Sequence, residues 1–468
     1  MKRVVWMSLV VMALALVACG PVVQSAADTS SGSTAEDTPS EETAAEEPAS
    51  EAEAEAGSEE VAELESAPGE EAVAADEGGQ AEEDAAAPVG DHAAATCDNP
   101  FEGVERVRFS PDVWTAGQIS RFVGPDLVDP ESGLATDFCS HNVDYGEILS
   151  GGPPPDGIPP LDNPKFDTIA EGDTWLADVQ PVIALAVGDE AKAYPLAILT
   201  RHEIANDEIA GMPVAVTFCP LCNAAIVFNR EVDGEVLRFG VSGNLRNSDL
   251  IMWDNKTLSW WQQFTGEAIV GEKTGTQLEI LPAQLVAWKD FKAAHPDGVV
   301  LSSNGRAYGQ NPYAGYDSST SPFLFLGEPD PRLPATERVL GFFSGDTAVA
   351  YPLPVVREER VIEDTIDDQD VVIFYEPGQV SALDQSVIED SKEVGSAGMF
   401  IPEVEGQELT FTYEDGKIVD NETGSEWDVF GRAISGKLEG AVLEPVVSHM
   451  HFWFAWAAFR PDTVLYGS

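Results

Sequence analysis

The chain has 468 residues, a formal net charge of −57 and a pI near 4.1. That length suggests two or three domains. Such an acidic balance argues against nucleic acid and anionic lipid headgroups as partners, because both would be repelled. The acid is unevenly spread: Gly20 to Thr96 carries 22 acidic residues and no Lys or Arg, leaving 60 acidic against 23 basic residues after it.

Lys2 and Arg3 precede an apolar run, Val4–Val17, which ends in Leu16-Val17-Ala18-Cys19-Gly20. A charged start, an apolar core and small residues before a cut read as a signal peptide, residues 1–19. A cysteine at the cut resembles the bacterial lipobox, which implies that Cys19 is lipidated and becomes the mature N-terminus. The run is short for a membrane span. An extracytoplasmic protein is therefore expected, held by its N-terminal lipid to the cell membrane or outer membrane. Residues 20–96 hold almost no aromatic or large aliphatic side chain. They cannot bury enough apolar area to order, and read as a disordered acidic stalk.

Folded sequence begins near Cys97. In residues 97–180, Cys97 and Cys139 are a candidate disulfide outside the cytoplasm. The stretch Ile148–Phe166 is too rich in proline and glycine for a helix or central strand, yet its apolar residues indicate that it packs down and lines or covers a site. Pro181–Val187 and Ala191–Tyr194 read as strands, and Leu196–Glu208 as a helix. On that helix His202 and Asn206 would share one face, with Glu203 and Asp207 on the adjacent one. His202-Glu203-x-x-Asn206 lacks the second histidine of the zinc-protease pattern.

Val214–Arg230 reads as a β-hairpin whose turn is Cys219-Pro220-Leu221-Cys222. Two thiols at i and i+3 on a tight turn can hold one metal ion or oxidise together. The spacing of helix and hairpin predicts that His202 reaches both thiols. Further strands, with a turn over Ser242–Asp249, place Arg246 and Asp249 as possible additions to the site. A helix over Gln284–His295 closes the unit. Trp253, Trp260 and Trp261 read as core or as a flat binding platform.

The chain then repeats itself. Gly188–Leu196 recurs as Gly345–Leu353, and Val216–Ile226 aligns with Ile373–Leu383 at the same offset. Asp254–Ser259 aligns with Asp420–Ser425, Trp261 with Trp427 and Trp288 with Trp453. The fold class expected is α+β: a β-rich duplicated domain of two pseudo-symmetric antiparallel-sheet copies, each with one or two helices. The first repeat is 181–305, the connecting loop 306–340 and the second repeat 341–468. Cys219, Cys222 and His202 align with Glu376, Gln379 and Glu359, so one local site is expected in the first repeat alone. His449 and His451 in the second repeat either belong to a packed aromatic segment or complete that site across a pseudo-twofold.

The stretches SGGPPPDGIPPLDNPKF (150–166), AYPLAILTRHEIANDEIAG (193–211), PVAVTFCPLCNAAIVF (213–228), FGVSGNLRNSDLIMWD (239–254) and WWQQFTGEAIVG (260–271) resemble the DUF3179 family, a domain of unknown function. The resemblance runs from about Ile148 to the C-terminus. It implies no reaction and supports only the choice of site. Three functions follow from the residues. The first is a zinc or copper site of Cys219, Cys222 and His202, catalytic or a carrier. The second is a thiol–disulfide redox protein using Cys219 and Cys222. The third is a non-catalytic surface lipoprotein that binds a ligand or partner.

Overall fold

The computed structural model of the chain describes residues 97–345 and 347–467. The signal peptide, Cys19 and the acidic stretch 20–96 lie outside the described residues. Among the described residues no helix is long and apolar enough to cross a membrane.

The first block opens with β1 (Pro181–Val187), β2 (Glu190–Pro195) and α1 (Leu196–His202), followed by β3 (Ile204–Ile209), β4 (Met212–Cys219) and β5 (Ala224–Asn229). Then come β6 (Phe239–Arg246), β7 (Asp249–Asp254), β8 (Trp260–Gln262), β9 (Ala268–Val270), β10 (Gln284–Ala287), α2 (Trp288–Ala294) and β11 (Val299–Leu301). They form three sheets, β10-β1-β2-β11, β5-β4-β3 and β6-β7-β8-β9. All these pairs are antiparallel except β2 with β11. The molecule is thus β-rich with a few short helices, an α+β fold.

The second block contains β12 (Arg338–Ser344), β13 (Thr347–Pro352), α3 (Leu353–Glu359), β14 (Val361–Ile366), β15 (Gln369–Glu376) and β16 (Ser396–Ile401). It ends with β17 (Phe411–Glu414), β18 (Lys417–Asp420), β19 (Glu426–Trp427), β20 (Ala433–Ser435), β21 (Ser448–Phe452), α4 (Trp453–Phe459) and β22 (Val464–Leu465). Its sheets, β21-β12-β13-β22, β16-β15-β14 and β17-β18-β19-β20, have the strand orders of the first block.

Corresponding polar anchors hold both blocks. Tyr194 donates its hydroxyl proton to Asp207 at 2.7 Å, as Tyr351 does to Asp364 at 2.8 Å. Asp254 accepts from the Trp261 indole (2.9 Å), the Thr257 hydroxyl (2.8 Å) and two backbone N–H groups. Asp420 accepts likewise from Trp427 (3.1 Å), Thr423 (2.9 Å) and two backbone N–H groups. A carboxylate folded into a turn in this way fixes the turn and satisfies a buried indole at once. Gly271 and Gly436, at φ 106° and 100°, lie so close to Ser259 and Ser425 that a Cβ would collide with the serine backbone.

Three sequence expectations are corrected. The helix over Leu196–Glu208 stops at His202, because Glu203 takes a left-handed backbone (φ 59°) and Ile204–Ile209 pairs with β4. Ile, Asn and Asp are weak helix formers, and the ladder gives them a buried place that a surface helix cannot. The helix over Gln284–His295 starts only at Trp288, since Gln284–Ala287 pairs with β1. Ser242–Asp249 is not a turn. β6 continues through a bulge to Arg246, and the turn is Asn247-Ser248, both left-handed (φ 53° and 65°), as a tight two-residue hairpin requires.

Ahead of the first block, Cys97 and Cys139 are joined by a disulfide. Phe109, Trp114 and Tyr145 form a core with Trp253 and Trp260, so these tryptophans, like the fully buried Trp261, are core and no platform. The Pro/Gly-rich stretch does pack down: Asp156 accepts from Arg238 (2.6 Å), the Trp253 indole (2.9 Å) and the Val241 N–H (3.0 Å).

Asp254→Ala and Asp420→Ala should each destabilise the chain by about 2–4 kcal/mol, since each strands a buried indole and two turn N–H groups. Urea unfolding followed by tryptophan fluorescence measures both. A cost at one position only would show that the two turns do different structural work.

Candidate functional site

The turn between β4 and β5 is closed by Asn223, whose left-handed backbone (φ 49°) lets its N–H donate to the Pro220 carbonyl at 3.3 Å. This brings both sulfurs to one side. Cys219 and Cys222 are free thiols and are buried, at 2% and 0% exposure. The tip of the long β6–β7 hairpin reaches over them. There the Cys219 thiol donates to the Ser248 carbonyl at 3.7 Å. The two Sγ atoms and a carboxylate oxygen of Asp249 all lie within 4.8 Å of one another.

Asp249 is fully buried. Its Oδ2 accepts from Gln262 Nε2 at 2.6 Å and from the Phe264 N–H at 2.9 Å, whereas Oδ1 is buried and, among the described residues, accepts from no N–H or O–H group, the two thiols being the polar groups beside this carboxyl. Burial raises its pKa to about 7. Glu203 is buried where α1 ends, and its carbonyl accepts from the N–H of Phe218, the neighbour of Cys219. Burial, then the charge of Asp249, raises its pKa to about 8. Burial also pushes both thiols up, Cys222 well above the ordinary range. The charges acting on Glu203 and the two thiols come from within the group, and among the described residues no lysine or arginine forms an ion pair with Asp249 or Glu203.

The loop joining the blocks covers this group. Tyr313 feels the charges of Glu203 and Cys219, and Tyr316 those of Cys222 and Cys219, on top of the burial that raises both phenols. Ser248 donates its hydroxyl proton to the Phe323 carbonyl of the same loop. The sequence reading missed Tyr313 and Tyr316. Their only signal is three tyrosines, 308, 313 and 316, in a connector otherwise rich in Gly, Pro and Ser.

His202 does not join the thiols. Its ring donates from Nδ1 to the Pro159 carbonyl at 2.7 Å and meets Tyr308 edge-on, so it holds the Pro/Gly-rich stretch against α1. It is the last residue of α1, and its ring turns toward the Pro/Gly-rich stretch. Asn206 is tied to Asp162 and to both backbone groups of Phe239, and Asp207 to Tyr194 and Lys192. Arg246 pairs with Glu147 at 2.7 Å. His449 and His451 lie on strand β21, with ring centroids 6.1 Å apart. His451 packs on Phe264 of the first block at 4.4 Å, but neither histidine belongs to the thiol–carboxylate group. Burial lowers His449 to about 4 and His451 well below the usual range, which keeps both neutral. Of the predicted site residues, then, Cys219, Cys222 and Asp249 converge, with Glu203 beside them.

The second block has no such group at the matching place. Arg360 ends α3 with the same left-handed backbone (φ 69°), its carbonyl accepting from Tyr375 as that of Glu203 accepts from Phe218. Glu376 stands where Cys219 does. Burial and the charges of Asp290 and Asp428 raise it, and Lys289, at 3.9 Å, and Arg360 offset this only in part. The β17–β18 hairpin stops at Glu414–Lys417, and it pairs Phe411 with Asp420 as β6–β7 pairs Phe239 with Asp254. It is shorter and delivers no counterpart of Asp249.

A family model described as "Protein of unknown function (DUF3179)" matches residues 155–463. No curated protein matches the chain, and no solved structure does.

Asp249 and Glu203 bind protons more tightly in the folded chain than in the unfolded one, where ordinary values of 3.8 and 4.5 apply. Between about pH 4 and pH 8 the folded state therefore holds more protons, and stability falls as pH rises. Metal-free protein should show a falling melting temperature across that window, and Asp249→Asn with Glu203→Gln should flatten the profile. A profile identical in wild type and double variant would refute the assignment of these two carboxyls.

Proposed function

The chain belongs to the DUF3179 family of proteins of unknown function, and we propose that its first block binds one zinc ion through Cys219, Cys222 and Asp249. The observation that carries this reading is the absence of a counter-charge: two thiols and two carboxyls are buried together, and among the described residues no lysine or arginine acts on them. Burying ionised acids unpaired is prohibitive, so they must hold protons or share a metal. The Asp249 Oδ1, buried and accepting from no N–H or O–H group among the described residues, is the lone pair that an ion would use. Zinc accepts both thiolate sulfur and carboxylate oxygen, whereas copper(I) prefers an all-soft set, so this donor set favours zinc.

The two blocks descend from a duplication in this reading. Matching sheet orders, the left-handed backbone after α1 and α3, and the Tyr–Asp and Asp–Trp anchors support it. Where the first block has Glu203 beside Cys219, the second has Arg360 acting on Glu376, which Lys289 of the first-block α2 also approaches at 3.9 Å.

Dithiol exchange is the weaker reading. Reactive cysteine pairs are partly exposed in electropositive surroundings that stabilise the thiolate, and these thiols are buried among acids. The lipid anchor at Cys19 and an extracytoplasmic location are part of the proposal. The Cys97–Cys139 disulfide supports them, since such bonds persist in oxidising compartments.

Purified without a metal-binding tag, offered zinc and dialysed, the protein should hold about one zinc per chain. Cys219→Ser with Cys222→Ser should reduce this to under about a fifth of an equivalent, and Asp249→Asn should weaken affinity at least about tenfold. His202→Ala should leave it unchanged. A folded wild-type chain that takes up no zinc with both thiols titratable would end the proposal.

A further inference from the structure

Resting on the zinc reading above, the geometry points to an open fourth coordination position beside Glu203 that takes a small, neutral nitrogen or oxygen donor, with the Glu203 carboxyl as hydrogen-bond partner of the bound molecule. The argument begins with the donor count. The group with mutual distances within 4.8 Å contains three donors, Cys219, Cys222 and Asp249, and Glu203 is not in it. Three protein ligands leave a tetrahedral zinc one position short, the arrangement of exchangeable sites rather than of closed structural ones.

Glu203 is placed to serve that position without being a ligand. Its left-handed backbone, uncommon for a residue other than glycine, turns the chain sharply between α1 and β3. Its main chain is fixed at both ends, by its N–H to the Leu199 carbonyl and its carbonyl to the Phe218 N–H, both 2.8 Å. The carboxyl is buried within reach of the Asp249 charge and is not one of the three clustered donors. The Tyr313 phenol, from the covering loop, is a second polar group near Glu203 and Cys219 whose hydroxyl has no hydrogen-bond partner among the described residues.

Charge selects the class of ligand. Two thiolates and one carboxylate outweigh a dication by one negative charge, so the bound ion no longer attracts anions. A neutral donor with a lone pair for the metal and a polar group for Glu203 meets no such penalty: water, an amine, an alcohol, a carbonyl or an imidazole. Burial of the whole group restricts the ligand to small molecules.

Cobalt(II) in place of zinc makes the position visible by absorption spectroscopy, with imidazole and azide as neutral and anionic probes of similar size. Cobalt-loaded wild-type protein should change its spectrum with imidazole, at a half-saturating concentration at least about tenfold below that for azide. Glu203→Gln should keep a full equivalent of cobalt and weaken imidazole binding by about two- to tenfold, the worth of one hydrogen bond. A spectrum unmoved by either probe would show a closed site and overturn the inference while leaving the zinc reading intact. So would loss of cobalt from folded Glu203→Gln, which would make Glu203 a ligand, or azide binding more tightly than imidazole. Failure of the wild type to take up cobalt or zinc would overturn both.

Discussion

Four acids buried without a counter-charge are the constraint on which the first block turns. Each of Cys219, Cys222, Asp249 and Glu203 is costly to bury ionised, and the charge of Asp249 raises Glu203 and both thiols further. A fold retains such a group only if the acids stay protonated or a cation joins them. The surrounding structure is rigid enough to hold them together: Asp249 is clamped through one oxygen by Gln262 and Phe264, and Glu203 through its backbone by α1 and β4.

The two blocks show how one scaffold can carry this constraint or avoid it. Their sheets, short helices and buried turn carboxylates correspond, and those carboxylates are satisfied within the turn itself. The difference lies in what stands at the end of the helix and at the tip of one hairpin. In the second block an arginine follows the helix and the hairpin is short; in the first a glutamate follows it and the hairpin is long enough to bring Asp249 onto the thiols. A few residues at loop ends therefore separate a corner with a nearby arginine from an acidic pocket, while the strand orders of the main sheets correspond.

The covering loop adds a second layer. Tyr313 and Tyr316 lie over the acids, and the loop is fixed to the second block through backbone contacts such as the Gly315 N–H to the Asp384 carbonyl. Asp317, buried between Arg338 and Lys392, ties the same loop down with charge-assisted bonds. The second block thus contributes to the site through the loop it anchors. Of His449 and His451, the residues in it that most resemble metal ligands, His451 packs between Phe264 and Trp456, and His449 lies beside His451.

The sequence by itself determined the hairpin that carries the thiols, the internal correspondence that sets Tyr194, Asp254 and Trp261 apart as scaffold, the packing of the Pro/Gly-rich stretch and the family. These are local patterns: alternation, turn residues and repeated spacing act over a few neighbours and leave a mark there. It misplaced His202, because helix and strand compete closely over Leu196–Glu208 and the left-handed Glu203 that decides between them has no sequence signature. Asp249 was visible only as one candidate among several. Its place on the sulfurs depends on how far a hairpin extends, and Tyr313 arrives from a loop about ninety residues away. Which acids meet, and whether a cation meets them, is a property of side chains brought together from distant segments. Only the tertiary structure could decide it, because no stretch of chain feels the charge of another until the fold removes the water between them.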